Sequence, residues 1–96
     1  TLIWGDVADL ELEELRSSVA RHSPSYYKTL VRRIVKRTQI LSKHPLMGSE
    51  VEEYQDESIR ELYEKPYRIL YRIVKDEVHV ITIIHVSQPL PRTPPG

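Results

Sequence analysis

Residues 67–86, YRILYRIVKDEVHVITIIHV, constrain the fold of this chain more than any other stretch. Tyr67, Ile69, Tyr71 and Ile73 alternate with Arg68, Leu70, Arg72 and Val74, the period-two pattern of an extended strand with two unlike faces. After the turn KDE, the run VHVITIIHV is apolar except at His79, Thr82 and His85, which predicts a strand central in its sheet. IREL at 59–62 precedes both, separated from the second by KPY. Three strands at about 58–63, 67–74 and 78–86, joined by short turns, predict an antiparallel meander. Its apolar side needs a covering layer.

The first half of the chain supplies that layer. TLIW is short, apolar and β-branched at Ile3, and predicts a first strand. Asp6 offers an N-cap, and Asp9, Glu11, Glu13 and Glu14 follow in the early turns, where the helix dipole favours anions. Val7, Leu10, Leu15 and Val19 recur at roughly helical spacing, so a helix is expected over about 6–22. Ser23 and Pro24 form a cap followed by proline at the first helical position. Tyr27, Leu30, Val31, Ile34, Thr38 and Leu41 then make one stripe, with Arg32, Arg33, Lys36 and Arg37 largely off it. This second helix should run to about His44, before Pro45. PLMGSEVEEYQDE predicts a loop, and the tail SQPLPRTPPG, with four prolines, an extended or disordered end. The expected fold is therefore α+β: one small βααβββ domain over 1–87, an antiparallel sheet with two helices on one face, and a Pro-rich tail at 88–96.

Ninety-six residues suffice for one modest core. Cysteine is absent, which excludes disulfides and thiolate ligands and fits a reducing cytoplasm. No apolar run approaches bilayer length, and no signal-peptide pattern opens the chain, so a cytoplasmic location without membrane contact is expected. Net charge is zero but blocky: residues 1–15 hold five acids and no base, 16–44 eight bases and no acid, and 50–64 seven acids against Arg60. A uniform nucleic-acid glove would carry a basic excess, so only a local basic band remains for such a role. Three glycines and no Gly-rich phosphate loop argue against a nucleotide cofactor, and no second histidine stands at metal-ligand spacing. No cofactor or metal is expected.

These segments resemble the RelE/ParE superfamily, the toxins of type II toxin–antitoxin modules. The resemblance rests on IW followed by ADL at 8–10, LSKHPLMG at 41–48, IREL at 59–62, YRILYRI at 67–73 and VHVITIIH at 78–85, in order and in register. It covers nearly all of the chain except the Pro-rich tail. It implies a toxin that restrains growth until a cognate antitoxin binds it, in a hetero-oligomer. The target it implies is DNA gyrase for ParE-like members or ribosome-bound mRNA for RelE-like endoribonucleases, with an inert interaction domain as a third alternative.

The candidate site residues follow from that choice. For a nuclease, catalysis would fall to Arg68, His85 and the position of Glu61, with Arg60, Arg68 and Arg72 binding phosphate or target. Arg60 and Arg68 are expected near each other on the helix-free floor of the meander, with His85 approaching the same floor, an arrangement that would suit a phosphate. The sequence departs from the RelE pattern: Glu61 stands where those nucleases resemble a basic lysine, and Gln88 near their last arginine. Another nuclease branch pairs a glutamate base with a histidine acid, which His85 with Glu50, Glu52 or Glu53 would imitate. ParE-like members need no such constellation and commonly keep a histidine after the last strand, as at His85. The departures and the balanced charge favour the ParE-like reading. Plainer roles stand beside these: a salt bridge from Arg68 to Glu61 or Glu64, a structural pairing for Arg60, a hydrogen-bonded packing role for His85, a surface position for His79, and core or staple roles for Tyr26 and Tyr27. Arg32, Arg33, Lys36 and Arg37 are the candidate antitoxin-binding band, or else a solvated helix face.

Overall fold

The computed structural model describes residues 1–18 and 24–96. Its elements are β1 (Leu2–Trp4), α1 (Asp6–Ser18), α2 (Pro24–Leu41), β2 (Ser49–Glu50), β3 (Ile59–Glu64), β4 (Tyr67–Val74) and β5 (Glu77–His85). They build one five-stranded sheet in the order β1-β5-β4-β3-β2. The α+β class and the β3-β4-β5 meander agree with the sequence. Two details of the sheet are new. β1 lies parallel to β5, pairing Leu2 with Val78 and Trp4 with Val80, which makes the sheet mixed. β2 lengthens it at the other edge, pairing Ser49 with Glu61 inside the expected loop.

α1 turns Ala8, Leu12 and Leu15 into the core, at spacings of four and three, while Val7 and Leu10 are exposed. The expected stripe through Val7, Leu10 and Leu15 is thus rotated, because its five-residue step from 10 to 15 breaks the 3.6 period that Ala8, Leu12 and Leu15 keep. Val19, the extension of this helix to 22 and the cap at Ser23 lie outside the described residues. α2 has the expected face: Leu30, Ile34, Thr38 and Leu41 are buried, with Tyr27, Val31 and Val35 at the margin. Tyr26 is exposed and meets Tyr27 edge-on. α2 stops at Leu41, three residues before the expected end. The amides of Lys43 and His44 both bond to the carbonyl of Ile40, closing the last turn ahead of Pro45.

The sheet has two buried sides. On the helix side, Leu62, Ile69, Tyr71, Val78, Val80 and Ile83 meet the apolar faces of α1 and α2. On the outer side, Val51, Ile59, Leu70 and Ile81 form a second cluster with Tyr54, Ile84 and Leu90 around it. The covering layer there is the chain itself: the 51–58 loop and the proline-rich tail, tied together where the Tyr54 hydroxyl donates to the carbonyl of Pro91. The tail is extended, as its prolines require, and its last residue returns to within 3.8 Å of Ile81, measured from the Cβ position at Gly96.

A bulge in β5 decides what the site can be. The β4–β5 register shifts between Leu70, opposite Thr82, and Tyr71, opposite Val80. Val78 and Val80 face the helices, so strict alternation would send Ile83 and His85 outward. The extra residue reverses the parity. Ile83 enters the helix-side core, Ile84 joins the outer cluster, and His85 lies opposite Tyr67.

Candidate functional site

Arg68 is the centre of the outer face. It is 8% exposed. Its Nε donates to Oε1 of Glu61 at 2.6 Å, and its two terminal nitrogens donate to both carboxylate oxygens of Glu53 at 2.9 and 3.1 Å. Tyr63, its cross-strand neighbour, puts its ring 5.8 Å from the guanidinium carbon. Bidentate pairing of this kind is the strongest form of charge-assisted hydrogen bond. Hydrogen bonds donated to Glu53 and then to Glu61 raise the pKa of Arg68 above its ordinary value. In return, the hydrogen bond from Arg68 holds the Glu53 carboxyl below its ordinary value. The nearby Arg72 reaches Asp56 at 3.4 Å and the Ser58 hydroxyl at 3.5 Å. Asp56 also accepts from the hydroxyl and amide of Ser58, which depress its pKa. Three acids of the chain therefore occupy the arginine face of β4.

The expected floor shared by Arg60, Arg68 and His85 does not form. Arg60 pairs with Tyr71 and Arg68 with Tyr63, and these pairs lie on opposite faces, because residues 60 and 63 differ in parity. Arg60 points to the helix side, where its Nε donates to the carbonyl of Gly48 at 2.8 Å. The bulge sends His85 to that side as well, but against Tyr67, with ring centroids 5.4 Å apart and nearly perpendicular. Nδ1 of His85 lies 2.7 Å from the Ser87 hydroxyl and accepts the Ser87 amide at 3.1 Å, so the neutral ring carries its proton on Nε2. Of the acids considered as its partner, Glu53 is bound to Arg68 on the far face, and Glu50 and Glu52 are exposed.

Sequence reasoning passed over Glu11. His85, Tyr67, Ile83, Ser87 and Gln88 line a cleft against α1 together with Glu11, Glu14 and Leu15. The Glu11 carboxylate accepts the Thr82 hydroxyl at 2.8 and 3.1 Å and the Ile83 amide at 2.8 Å, bridging α1 to the bulge. Burial raises its pKa, outweighing those hydrogen bonds, and Glu14 adds like-charge repulsion. A signal was present: on a helical wheel residue 11 borders the arc of core positions 15, 8 and 12, where a partly buried carboxylate needs a partner.

The basic band divides in two. Arg37 donates to the carbonyl of Tyr63 at 3.1 Å and to Glu64 at 3.2 Å, and Arg33 approaches the same carboxylate at 3.9 Å. Arg33 is exposed, as are Arg32 and Lys36, which lie away from Glu64. With Arg16, Lys28 and Gln39, Arg32 and Lys36 rim a shallow groove floored by Val31 and Val35. Among the described residues, no three histidines, aspartates or glutamates converge as a metal site, and no helix is long and apolar enough to cross a membrane.

The model of the family described as the ParE toxin of type II toxin–antitoxin system, parDE, matches residues 2–90. The chain belongs to the ParE toxin family. A comparison with curated proteins returned no significant match. Among solved structures, the chain is similar to one described as a chromosomal ParDE TA system from P. aeruginosa. The TM-score is 0.69 at 19% identity, over 88% of this chain and 94% of that one. The ParE family match includes both faces of the sheet, the Arg68–Glu53–Glu61 cluster, the Glu11 cleft and the α2 groove, and ends within the tail at Leu90.

Proposed function

We propose that this ParE-family toxin restrains growth by inhibiting DNA gyrase, acts in the cytoplasm, and is neutralised by a cognate antitoxin. One observation supports gyrase over ribosome-bound mRNA: Arg68, the arginine a nuclease would need on the scissile phosphate, is already held by two carboxylates of its own chain. A phosphate approaching it would meet Glu53 and Glu61 first, a repulsive rather than a stabilising field. Arg60 and His85 stand on the other face and cannot join it.

The antitoxin surface is the α2 groove. An apolar floor of Val31 and Val35 with Arg32 and Lys36 on its rim suits an amphipathic acidic segment that folds as it binds. Arg33 and Arg37 contribute less, since Glu64 already engages them.

The test is induction of the protein followed by two measurements on the same cells: supercoiling of a reporter plasmid and mapping of mRNA ends. Altered supercoiling with DNA-damage signalling and intact mRNA is expected. New mRNA ends with normal supercoiling would replace gyrase inhibition by an endoribonuclease.

A further inference from the structure

The cleft between α1 and the end of β5 lacks a charge that its lining calls for. It holds about 520 Å³, within the ~300–1,000 Å³ of ordinary ligand sites, so it admits a whole side chain. Glu11 and Glu14 stand on its α1 wall at i, i+3, the spacing of neighbours on a helix surface. Leu15, Ile83 and the rings of Tyr67 and His85 supply apolar surface. While His85 is neutral, the formal charges on this lining are the two carboxylates, and no described lysine or arginine reaches it.

Glu11 is served less well than the other acids that the fold shelters. Asp56, Glu61, Glu64 and Glu77 each pair with a basic side chain, whereas the Glu11 carboxylate meets neutral donors. The Thr82 hydroxyl has one proton to divide between Oε1 at 2.8 Å and Oε2 at 3.1 Å, and the Ile83 amide goes to Oε1 as well. Oε2 thus keeps acceptor capacity. The raised pKa agrees: burial and Glu14 disfavour the ionised form, which a cation in the cleft would restore.

The outer face of the sheet shows what such a set of groups holds. There Glu53 and Glu61 take one guanidinium between them, with the Tyr63 ring 5.8 Å from its carbon. The cleft presents the same chemistry, two carboxylates and a tyrosine, without the arginine.

We infer that the cleft is a receptor for an arginine side chain of a protein partner, with the guanidinium between Glu11 and Glu14 and the stem against Leu15, Ile83 and Tyr67. Other ligands fit less well. An anion would meet two carboxylates. A divalent metal ion would need further ligands, and no three such groups converge among the described residues. A lysine ammonium is a compact, strongly hydrated charge, whereas a planar guanidinium has donors for two carboxylates and lies along an aromatic ring. Residues 11 and 14 point to the flank of α1 away from Arg16 and the α2 groove. The cleft therefore adds a basic anchor on the partner to the acidic ones that the groove requires. It needs a protein partner but does not depend on gyrase being the target.

The probe is N-acetyl-arginine amide, followed through the Ile83 amide and His85 ring resonances in an NMR titration, with the lysine and norleucine analogues for comparison. The wild type should bind the arginine probe more tightly than the lysine probe and should not respond to norleucine. Glu11→Gln/Glu14→Gln should melt no lower than wild type and bind the arginine probe at least about 10-fold more weakly, the factor for a lost charge-assisted hydrogen bond. Glu14→Gln alone should weaken it too, while Asp9→Asn, the same charge change elsewhere on α1, should not. Glu14 is exposed, so Glu14→Gln decides the matter should the double variant unfold. Antitoxin affinity and inhibition of purified gyrase, measured on the same variants, name the source of the arginine. A loss of at least about 10-fold in one of them, absent in Asp9→Asn, is expected. The assignment is overturned if the carboxamide variants bind the probe like wild type, if arginine and norleucine probes behave alike, or if both partner measurements stay unchanged. A wild-type toxin inert toward gyrase overturns the proposed target alone, since the probe and antitoxin measurements still decide the cleft.

Discussion

Tyr71 is fully buried, and its hydroxyl serves two backbone groups of a surface turn rather than another side chain. Tyr71→Phe keeps the ring and leaves the carbonyl of Pro45 and the amide of Gly48 without their partner. The expected cost is about 1–3 kcal/mol. In a domain of this size each kcal/mol lowers the melting temperature by roughly 4–8 °C. An unchanged melting curve would mean that the turn is held by Arg60 alone. Arg68 presents a sharper case. Arg68→Ala strands the buried carboxylate of Glu61, a loss of about 3–5 kcal/mol, so any loss of toxicity in that variant would first reflect unfolding. Glu61→Gln combined with Arg68→Met removes both charges and should recover most of that stability in a denaturant titration. If the pair of changes is no better than Arg68→Ala, Glu61 is not the source of the cost.

The 51–58 loop and α1 respond to acid in opposite senses. The pKa values of Glu53 and Asp56 are depressed in the fold below their ordinary 4.5 and 3.8, so their contribution is present above those values and is lost as pH falls through the depressed ones. Glu11 has a raised pKa, so its ionised form costs stability, and that cost appears as pH rises from 4.5 through the folded value. Melting temperature followed against pH separates the two. Glu53→Gln/Asp56→Asn should be less stable than wild type at pH 7, with the difference vanishing in acid. Glu11→Gln should be more stable than wild type at pH 7, with its advantage shrinking toward pH 4. A Glu11→Gln variant weakened at every pH would show that the carboxylate's bonds to Thr82 and Ile83 outweigh its burial. The loop and tail also give the sheet its second covered side. Without them, Ile59, Leu70 and Ile81 would meet water.

Charge is balanced over the whole molecule, but the fold does not mix the blocks evenly. Of the seven acids of 50–64, Glu53, Asp56, Glu61 and Glu64 pair with Arg68, Arg72, Arg33 and Arg37, while the opposite face of α2 keeps Arg32 and Lys36 exposed beside Arg16 and Lys28. Reversing Arg32 and Lys36 to glutamate should slow antitoxin association and flatten its salt dependence, with little effect on stability. Reversing Arg33 and Arg37 should instead destabilise the fold by repelling Glu64. Equal effects of the two reversals on binding would extend the antitoxin interface across the whole band.

The sequence by itself determined the kinds of element and their order. Alternation at 67–74, the i, i+3, i+4 stripe from Tyr27 to Leu41 and proline at position 24 act through neighbours a few residues apart, so they are legible in a single chain. The family resemblance was legible for the same reason, since its motifs lie on those elements. The site was not. Whether Arg60 and Arg68 share a face depends on strand register, and one bulge residue in β5 reversed the side on which His85 lies. Arg68 had acids nearby in sequence at 50, 52, 53, 56, 57, 61 and 64, and the path of a loop chose Glu53 to join Glu61. Such contacts are fixed by long-range pairing and desolvation, to which periodicity is blind, and only the tertiary structure decided them.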